Sequence, residues 1–254
     1  MLVRYRYRIC PDAAQREALA RAFGCARVVV ERDAAPLPPA DREAGIDVGL
    51  ASLAVTSDGQ VIENPRFLRM TERRLARAQR ALARKKKGSG NRAKARRRVA
   101  VLHRKVREMR LDHAHKTALS LVRDNQALYA EDIAVHGLAR TRLAKSVHDA
   151  GWSQFLRLVE EKAAWHGRYF ARIGRFEPTS QVCSACGVKD GPKPLAVRVW
   201  TCEACGTTHD RDVNAARNIL AAGRADRLTA YRGGVRPGSG LAAAGEVGTR
   251  RGAA

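Results

Sequence analysis

Four cysteines stand in two Cys-x-x-Cys pairs, Cys183 with Cys186 and Cys202 with Cys205, and the fifteen residues Gly187 to Thr201 lie between them. Two such pairs at this separation are the ligand set of a four-thiolate zinc ribbon, in which each pair occupies a tight knuckle and a hairpin brings the knuckles together. Chance or a redox role could explain one isolated pair; two pairs at this spacing point to Zn²⁺. Immediately afterwards, Asp210-Arg211-Asp212-Val213-Asn214 opens a short helix with Ala215, Ala216, Ile219 and Leu220 on its apolar side. A metal knuckle is a rigid clamp, so it fixes where a carboxylate at the next helix start points.

Three carboxylates stand in costly places. Asp47 lies inside GIDVGL, Glu131 inside ALYAEDIAV, and Asp212 at the helix opening beside the second knuckle. The first two interrupt runs that otherwise read as core strands, where an isolated charge is expensive unless it is paired, neutralised or bound to a metal. Taken singly, Asp47 could be a strand-end turn residue, Glu131 an ion-pair partner for basic side chains, and Asp212 a helix cap. Taken together, carboxylates on two strands of one sheet and on a nearby helix can converge at one end of that sheet. Hard oxygen ligands suit Mg²⁺ or Mn²⁺ as thiolates suit zinc. Two such ions, about 3.5–4 Å apart, activate water and stabilise the leaving oxygen in phosphodiester hydrolysis. Asp210 competes with Asp212 for the third position; Asp212 is favoured, with the other acting as cap or ion-pair partner and Asn214 as a supporting polar group. Asp132 faces away from Glu131 on a strand and reads as structural. His209 reads as a solvated histidine.

The elements that must position these groups follow from periodicity. Val3, Tyr5, Tyr7 and Ile9 alternate with Arg4, Arg6 and Arg8, which predicts a strand, and a helix is expected over Ala13 to Phe23. Residues 33–43 form a Pro-rich linker. Ile46, Val48 and Leu50 face opposite to Asp47 and Gly49, and Leu53 to Thr56 leads to the Asp58-Gly59 turn and a returning Val61-Ile62. A strand is expected over Ala127 to Val135, an amphipathic helix over Trp152 to Ala163, and another strand over Tyr169 to Phe176. Residues 223–254 carry eight glycines and no apolar period, which predicts a disordered tail.

Charge names the partner class. The net charge is +23, and residues 66–110 hold nineteen lysines or arginines against Glu72 and Glu108, so one element carries +17 of it. Leu68, Leu75, Ala78 and Leu82, and then Val99, Leu102, Val106 and Met109, recur at helical spacing on either side of a Lys85–Asn91 break. The result is a basic helical hairpin over residues 66–112. A solvated helix face normally mixes signs; this one calls for a polyanion. Arg73, Arg77, Arg84, Lys85, Lys86, Lys87, Arg92, Lys94, Arg96, Arg97 and Arg98 are the candidate nucleic-acid contacts. Thiol usage suits a reducing compartment, and no run is long and apolar enough to act as a signal peptide or membrane span. The expectation is a soluble, cytoplasmic protein with no membrane partner.

GIDVGL, AEDIAV, TSQVCSACG, CEACG and HDRDVNAARNIL, in this order, resemble the TnpB family of transposon-encoded proteins, kin of the type V CRISPR effectors; YRYRICPDAAQREAL and FGCARVV resemble the family's opening. The likeness covers most of Met1 to Val30 and Glu43 to Ala222. It implies an α/β fold: a RuvC-like domain of the ribonuclease-H type over residues 44–222, with the zinc ribbon at 179–208 and a wedge-like remnant at 1–32. It places the family's metal-binding Asp, Glu, Asp set on Asp47, Glu131 and Asp212, and its zinc ligands on Cys183, Cys186, Cys202 and Cys205. It further implies cleavage of DNA guided by a transposon-derived RNA. The sequence departs from the family between FGCARVV and GIDVGL, where relatives carry a long wedge and recognition region and this chain has only Val30 to Ala44. The expected function is therefore a metal-dependent, transposition-associated DNA endonuclease, and the alternative is a non-catalytic nucleic-acid-binding relic or repressor. An actin-like ATPase, whose first phosphate loop also begins Ile-Asp-x-Gly, needs a second phosphate loop that this sequence lacks.

Overall fold

The computed structural model describes residues 36–194 and 196–232. The chain divides into two compact units, Met1–Ala34 and Ala35–Ala254, and all described residues belong to the second. The expected N-terminal strand and helix lie outside the described residues.

Alternation of the kind seen in EAGIDV makes a strand with two unlike faces. Strand β1 (Glu43–Val48) sends Ala44 and Ile46 into the main core and leaves Gly45 and Asp47 on the other face. It pairs antiparallel with β2 (Ser52–Thr56), which pairs antiparallel with β3 (Val61–Glu63). On its other edge β1 runs parallel to β4 (Ala127–Glu131), and β4 runs parallel to β5 (Tyr169–Ile173), giving the sheet order β3-β2-β1-β4-β5. The expected strands over 127–135 and 169–176 both end early, at Glu131 and Ile173.

Between β3 and β4 come α1 (Phe67–Ala83) and α2 (Gly90–Asp124), joined by a short turn and packed on each other. Thr71 and Leu75 of α1 and Val106 of α2 are buried, while nearly all of the cationic side chains stay on the outside. At 1.5 Å per residue α2 is about 50 Å long. Its second half is core (Ala114, Ala118, Leu121, Val122) and its first half carries charge. The polar loop expected before the amphipathic helix contains α3 (Val135–Leu138) and α4 (Ala144–Ala150), and α5 (Trp152–Trp165) follows. Helices α2, α4 and α5 cover one face of the sheet, around Ile46, Leu128, Phe155 and Val159.

The opposite face belongs to one helix. Strands β6 (Val199–Thr201) and β7 (Thr208–Asp210) form a two-stranded ribbon, and α6 (Arg211–Arg232) runs from it across β1, β4 and β5. Backbone contact is this close because two glycines allow it. A Cβ on Gly45 would lie 2.1 Å from the Ala216 carbonyl oxygen, and one on Gly223 would lie 2.1 Å from the Tyr129 ring. Ile219 packs with Ala127, Tyr129 and Ile173 beneath it. The short helix expected here is corrected to one that takes in residues 223–232 of the expected tail; residues 233–254 of that tail lie outside the described residues. The helix continues through Gly223 to Arg232 because Arg224 and Arg227 pair with Glu43 and so tie its last turns to the sheet.

The Pro-rich segment is pinned over its described residues rather than free. Arg168 donates to the Pro38 carbonyl oxygen at 2.6 Å, Leu37 N–H to His166 O at 3.1 Å, and Gln126 N–H to Arg42 O at 2.6 Å. Among the described residues no helix is long and apolar enough to cross a membrane.

Candidate functional site: a thiolate quartet and a carboxylate edge on one helix

The four cysteine sulfurs all lie within 4.8 Å of one another. Cys183 Sγ is 3.7 Å from Cys205 Sγ, and Cys186 Sγ is 3.8 Å from Cys202 Sγ. The edge of a sulfur tetrahedron with 2.3 Å metal bonds is about 3.8 Å, so the quartet fits one tetrahedral metal ion. Backbone bonds make each knuckle: Gly187 N–H donates to Cys183 O at 2.8 Å and Gly206 N–H to Cys202 O at 2.9 Å. Both glycines have positive φ, 75° and 71°. Cys183 and Cys202 are buried and Cys186 and Cys205 are exposed.

His209 is not solvated. It is 4 % exposed, its Nε2 lies 3.0 Å from Cys183 Sγ, and its ring packs on Trp200. Burial, and then the charge of Arg217, push its pKa below the usual histidine value. A neutral imidazole beside a thiolate can donate N–H to sulfur and orient it. β7 alternates, so His209 turns inward where its neighbours Thr208 and Asp210 turn out.

Asn214, expected to support the carboxylates, instead clasps the first knuckle. It is 1 % exposed, accepts from Ser184 N–H at 2.8 Å, and donates to Val182 O at 2.8 Å. Asn218, one turn on, donates to Val182 O and Thr179 O, both at 2.7 Å. Helix α6 is therefore bolted to the ribbon along one side.

The carboxylates gather at the same N-terminal end of that helix. The register Ile46↔Ala130 puts Asp47 and Glu131 at the next position of two parallel neighbours. Both point to the α6 face, because they stand two positions on from Gly45 and Tyr129, which touch α6. Neighbouring strands lie about 4.8 Å apart, so the two acids are adjacent at the C-terminal end of the sheet. Asp210 caps α6: its Oδ1 accepts from the N–H groups of Asp212 and Val213, each at 3.0 Å. Asp212, in the first turn, is the acid whose charge reaches Asp47. It pairs with Arg198 at 3.1 Å.

The electrostatics tie the three together. Asp47 is pushed up from 3.8 to about 8, first by burial, then by Asp212 and Glu131, against weaker opposing pulls from Arg211 and Arg198. Burial and then Asp132 raise Glu131. Asp132 itself pairs with Arg175 at 2.6 Å. No ion pair or side-chain hydrogen bond of Asp47 or Glu131 occurs among the described residues. The trio is more open than the quartet: among the described residues only the cysteines have ligand atoms all within 4.8 Å of one another. Oxygens on opposite sides of an ion pair about 3.5–4 Å apart are themselves further apart than that. The three acids do not form a single closed chelate of the quartet's kind.

Of the basic candidates, Arg73, Arg77, Arg84, Lys85, Lys86, Lys87, Lys94, Arg96, Arg97 and Arg98 are exposed on α1, α2 and their turn. Arg92 differs: it is half-buried and its Nη1 donates to Lys85 O at 2.9 Å and Leu82 O at 3.3 Å, closing the turn.

Known proteins match this chain over most of its length. A family described as "Probable transposase" matches residues 26–142, a "Cas12f1-like, TNB domain" matches residues 152–219, and a "Helix-turn-helix domain" matches residues 1–29. A "Putative RNA-guided DNA endonuclease" of Streptomyces pristinaespiralis is 47% identical over 203 residues, 80% of this chain and 50% of that protein. The "Putative RNA-guided DNA endonuclease InsQ" of Escherichia coli (strain K12) is 33% identical over 75% of this chain and 51% of its own length. The chain thus spans about half the length of these curated relatives. A cryo-EM structure of a Cas12f1–sgRNA–target DNA complex matches with a TM-score of 0.52 at 18% identity, over 72% of this chain and 50% of that one, which shows a shared fold.

Proposed function

The chain belongs to the TnpB family, and from that premise we propose that it is a transposition-associated DNA endonuclease whose catalytic carboxylates are Asp47, Glu131 and Asp212. The observation that carries the reading is Asp47: half-buried, without a directly bonded cation, and pushed up to about 8 beside two further acids. Such a cluster is unfavourable in a resting sheet and fits a site that takes up cations. The mixed sheet, with these acids at its strand ends under α6, supports a ribonuclease-H-like, RuvC-type reading of the fold, with α1 and α2 as a basic insertion.

Each part of the chain then has a task. The exposed cations of α1 and α2 hold the phosphate backbone, giving affinity that falls steeply with salt. Asp47, Glu131 and Asp212 would hold Mg²⁺ or Mn²⁺, which supplies water activation and stabilises the leaving oxygen when bound. Asp210 and the ribbon fix the start of α6, and so the direction of Asp212. The quartet is assigned zinc in a structural role. Free thiols in this number fit the reducing cytoplasm, and a guide RNA, transposon-derived as the resemblance implies, is the second partner we assign; the relatives' names say RNA-guided.

The test is cleavage of plasmid and oligonucleotide DNA by the purified protein with any co-purifying RNA, in Mg²⁺ or Mn²⁺. The expected result is cutting that disappears in Asp47→Ala and Glu131→Ala. Equal cutting by all three proteins sinks the assignment. The open geometry of the acids beside an intact basic surface favours one other reading, a non-catalytic nucleic-acid binder. Salt-sensitive binding with no hydrolysis under any divalent ion would select it.

A further inference from the structure

The edge of the sheet that carries Glu131 ends in an aromatic ring that none of the described residues covers. Phe176 is 95 % exposed, more than any other described large apolar side chain. Isolated exposed apolar residues are ordinary, so exposure alone decides nothing. Placement and anchoring decide more. Ile173 is the register partner of Glu131, and Phe176 follows three residues later. The chain cannot carry it more than roughly 11 Å further along, so the ring stays near the end of the sheet that bears Glu131.

The turn that presents the ring is fixed on both sides. Glu177 N–H donates to Gly174 O at 3.3 Å, closing a turn with Arg175 and Phe176 at its tip. On the sheet side, Arg175 folds back: Nη2 donates to Asp132 Oδ2 at 2.6 Å and Nε to Asp132 O at 3.3 Å. On the ribbon side, Thr179 N–H donates to Glu177 O at 2.8 Å, and Thr179 O accepts from Asn218 at 2.7 Å. A held turn offering a phenyl face beside acids and arginines matches no ordinary core requirement.

We propose that Phe176 is a stacking platform for an unpaired base of a single-stranded nucleic acid whose backbone passes the Asp47–Glu131–Asp212 edge. The proposal rests on the nuclease reading above and adds to it a residue that contacts a base. A base offers its π-face to a protein ring only when it is out of a duplex stack, and stacking of this kind is tolerant of sequence. Arg175 in the same turn, and Arg198 paired with Asp212 at 3.1 Å, place guanidinium groups at this edge that a phosphate backbone can meet.

The test compares the full chain with Phe176→Ala and Phe176→Trp in binding to a single-stranded DNA carrying 2-aminopurine and to the corresponding duplex, in buffer without Mg²⁺ or Mn²⁺. Phe176→Ala should weaken single-strand binding by roughly five- to a hundredfold and abolish the stacking quench of 2-aminopurine. Duplex affinity and the salt slope should stay unchanged, and Phe176→Trp should restore both signals. Undiminished single-strand binding, or equal losses on both forms, overturns the proposal. A lowered Tm in Phe176→Ala also overturns it, since the ring would then be packed by the chain's own residues 1–35 or 233–254 or by a second copy. The two readings fail separately: cleavage by wild type with no Phe176 effect removes the platform alone, and a single-strand-specific Phe176 effect without any cleavage removes the catalysis alone.

Discussion

Helix α6 borders two clusters of candidate metal ligands, and they are opposites. The thiolate quartet is local, closed and fully supported. Its ligands come from two knuckles, its sulfurs sit at tetrahedral edge lengths, and His209, Asn214 and Asn218 hold it from outside. The carboxylate edge is assembled from residues as far apart as Asp47 and Asp212, stays open, and leaves Asp47 at about 8. Stability is collected at the sulfur cluster and given up at the oxygen cluster. The chain spends secondary structure, glycine approach and asparagine clasps to hold α6 where that loss is tolerated. A structural site can be optimised for its ion; a site that must admit a substrate cannot be closed in the same way.

The largest effect should come from breaking the closed site. Cys202→Ser leaves three thiolates in a ribbon whose two strands have three residues each. A structural zinc contributes about 10–16 kcal/mol of folding free energy in small zinc domains, so most of the ribbon's order should go with it. The measurements are zinc content by native mass spectrometry and amide protection over Val199–Asp210. The five-stranded sheet, whose main core lies on the far face, should keep its protection. A full zinc equivalent with protected ribbon amides would refute the idea that closure resides in the quartet.

Next in size is the open site. The carboxyl of Asp47 has its pKa raised in the fold, so its contribution opposes folding. That cost is absent below the unfolded value of 3.8, grows as pH rises, and is complete above about 8. Asp47→Asn removes it. At pH 9, with zinc present and no other divalent ion, the variant should be more stable than wild type by on the order of 3 kcal/mol, and at pH 4 the two should nearly coincide. Urea unfolding at both pH values checks this. A variant less stable than wild type at pH 9 would mean that the carboxylate is satisfied by something other than a cation. Mg²⁺ should narrow the gap, because it binds the deprotonated form.

Much of this contrast could be read from the chain, and the unread parts share one cause. Cys-x-x-Cys spacing, the alternation around Asp47 and the helical period of residues 66–110 are local signals, and each led to the right element. His209, Asn214 and the length of α6 depend on contacts between segments. Asparagine in a helix gives no sign that its amide will meet Val182, 32 residues away. Gly223 looked like the start of a flexible tail because nothing local shows Tyr129 pressing against it. The start of α1 is likewise held by Asp149, which accepts from Leu68 N–H at 2.9 Å across 81 residues. The convergence of Asp47 with Glu131 was a geometric expectation only; the parallel β1–β4 register supplies the adjacency.

The clasp between the two sites sets a smaller effect. Asn214→Ala orphans the partly buried Ser184 N–H and leaves Val182 O with Asn218 as its side-chain donor, a loss of about 2 kcal/mol. Because the cysteines are untouched, zinc content should hold while thermal stability falls. Aspartate is the informative companion: Asn214→Asp keeps the acceptor for Ser184 but loses the donor to Val182, so it should fall between wild type and alanine at neutral pH. If alanine matched wild type in Tm, the ribbon would be held to α6 by its metal and strands alone.

The smallest effect tests whether the open site behaves as one electrostatic unit. Arg198 bonds Asp212 from a half-exposed position, with its side chain 53 % exposed and that of Asp212 27 %. Pairs of this kind contribute at most about 1 kcal/mol, so Arg198→Gln should change stability little. Its effect on Asp47 has a definite sign. Arg198 pulls that pKa down while Asp212 pushes it up. Removing the arginine deletes the first influence and unmasks the second, so both changes move the Asp47 midpoint upward. Carboxyl ¹³C NMR titration without Mg²⁺ or Mn²⁺ should find the midpoint a few tenths of a unit higher in the variant. The quartet, held on the other side of the helix by Asn214, should keep its zinc unchanged. An unmoved midpoint would place Asp212 outside the electrostatic reach of Asp47, and α6 would then be carrying a metal staple and an unrelated surface acid in place of two contrasting sites.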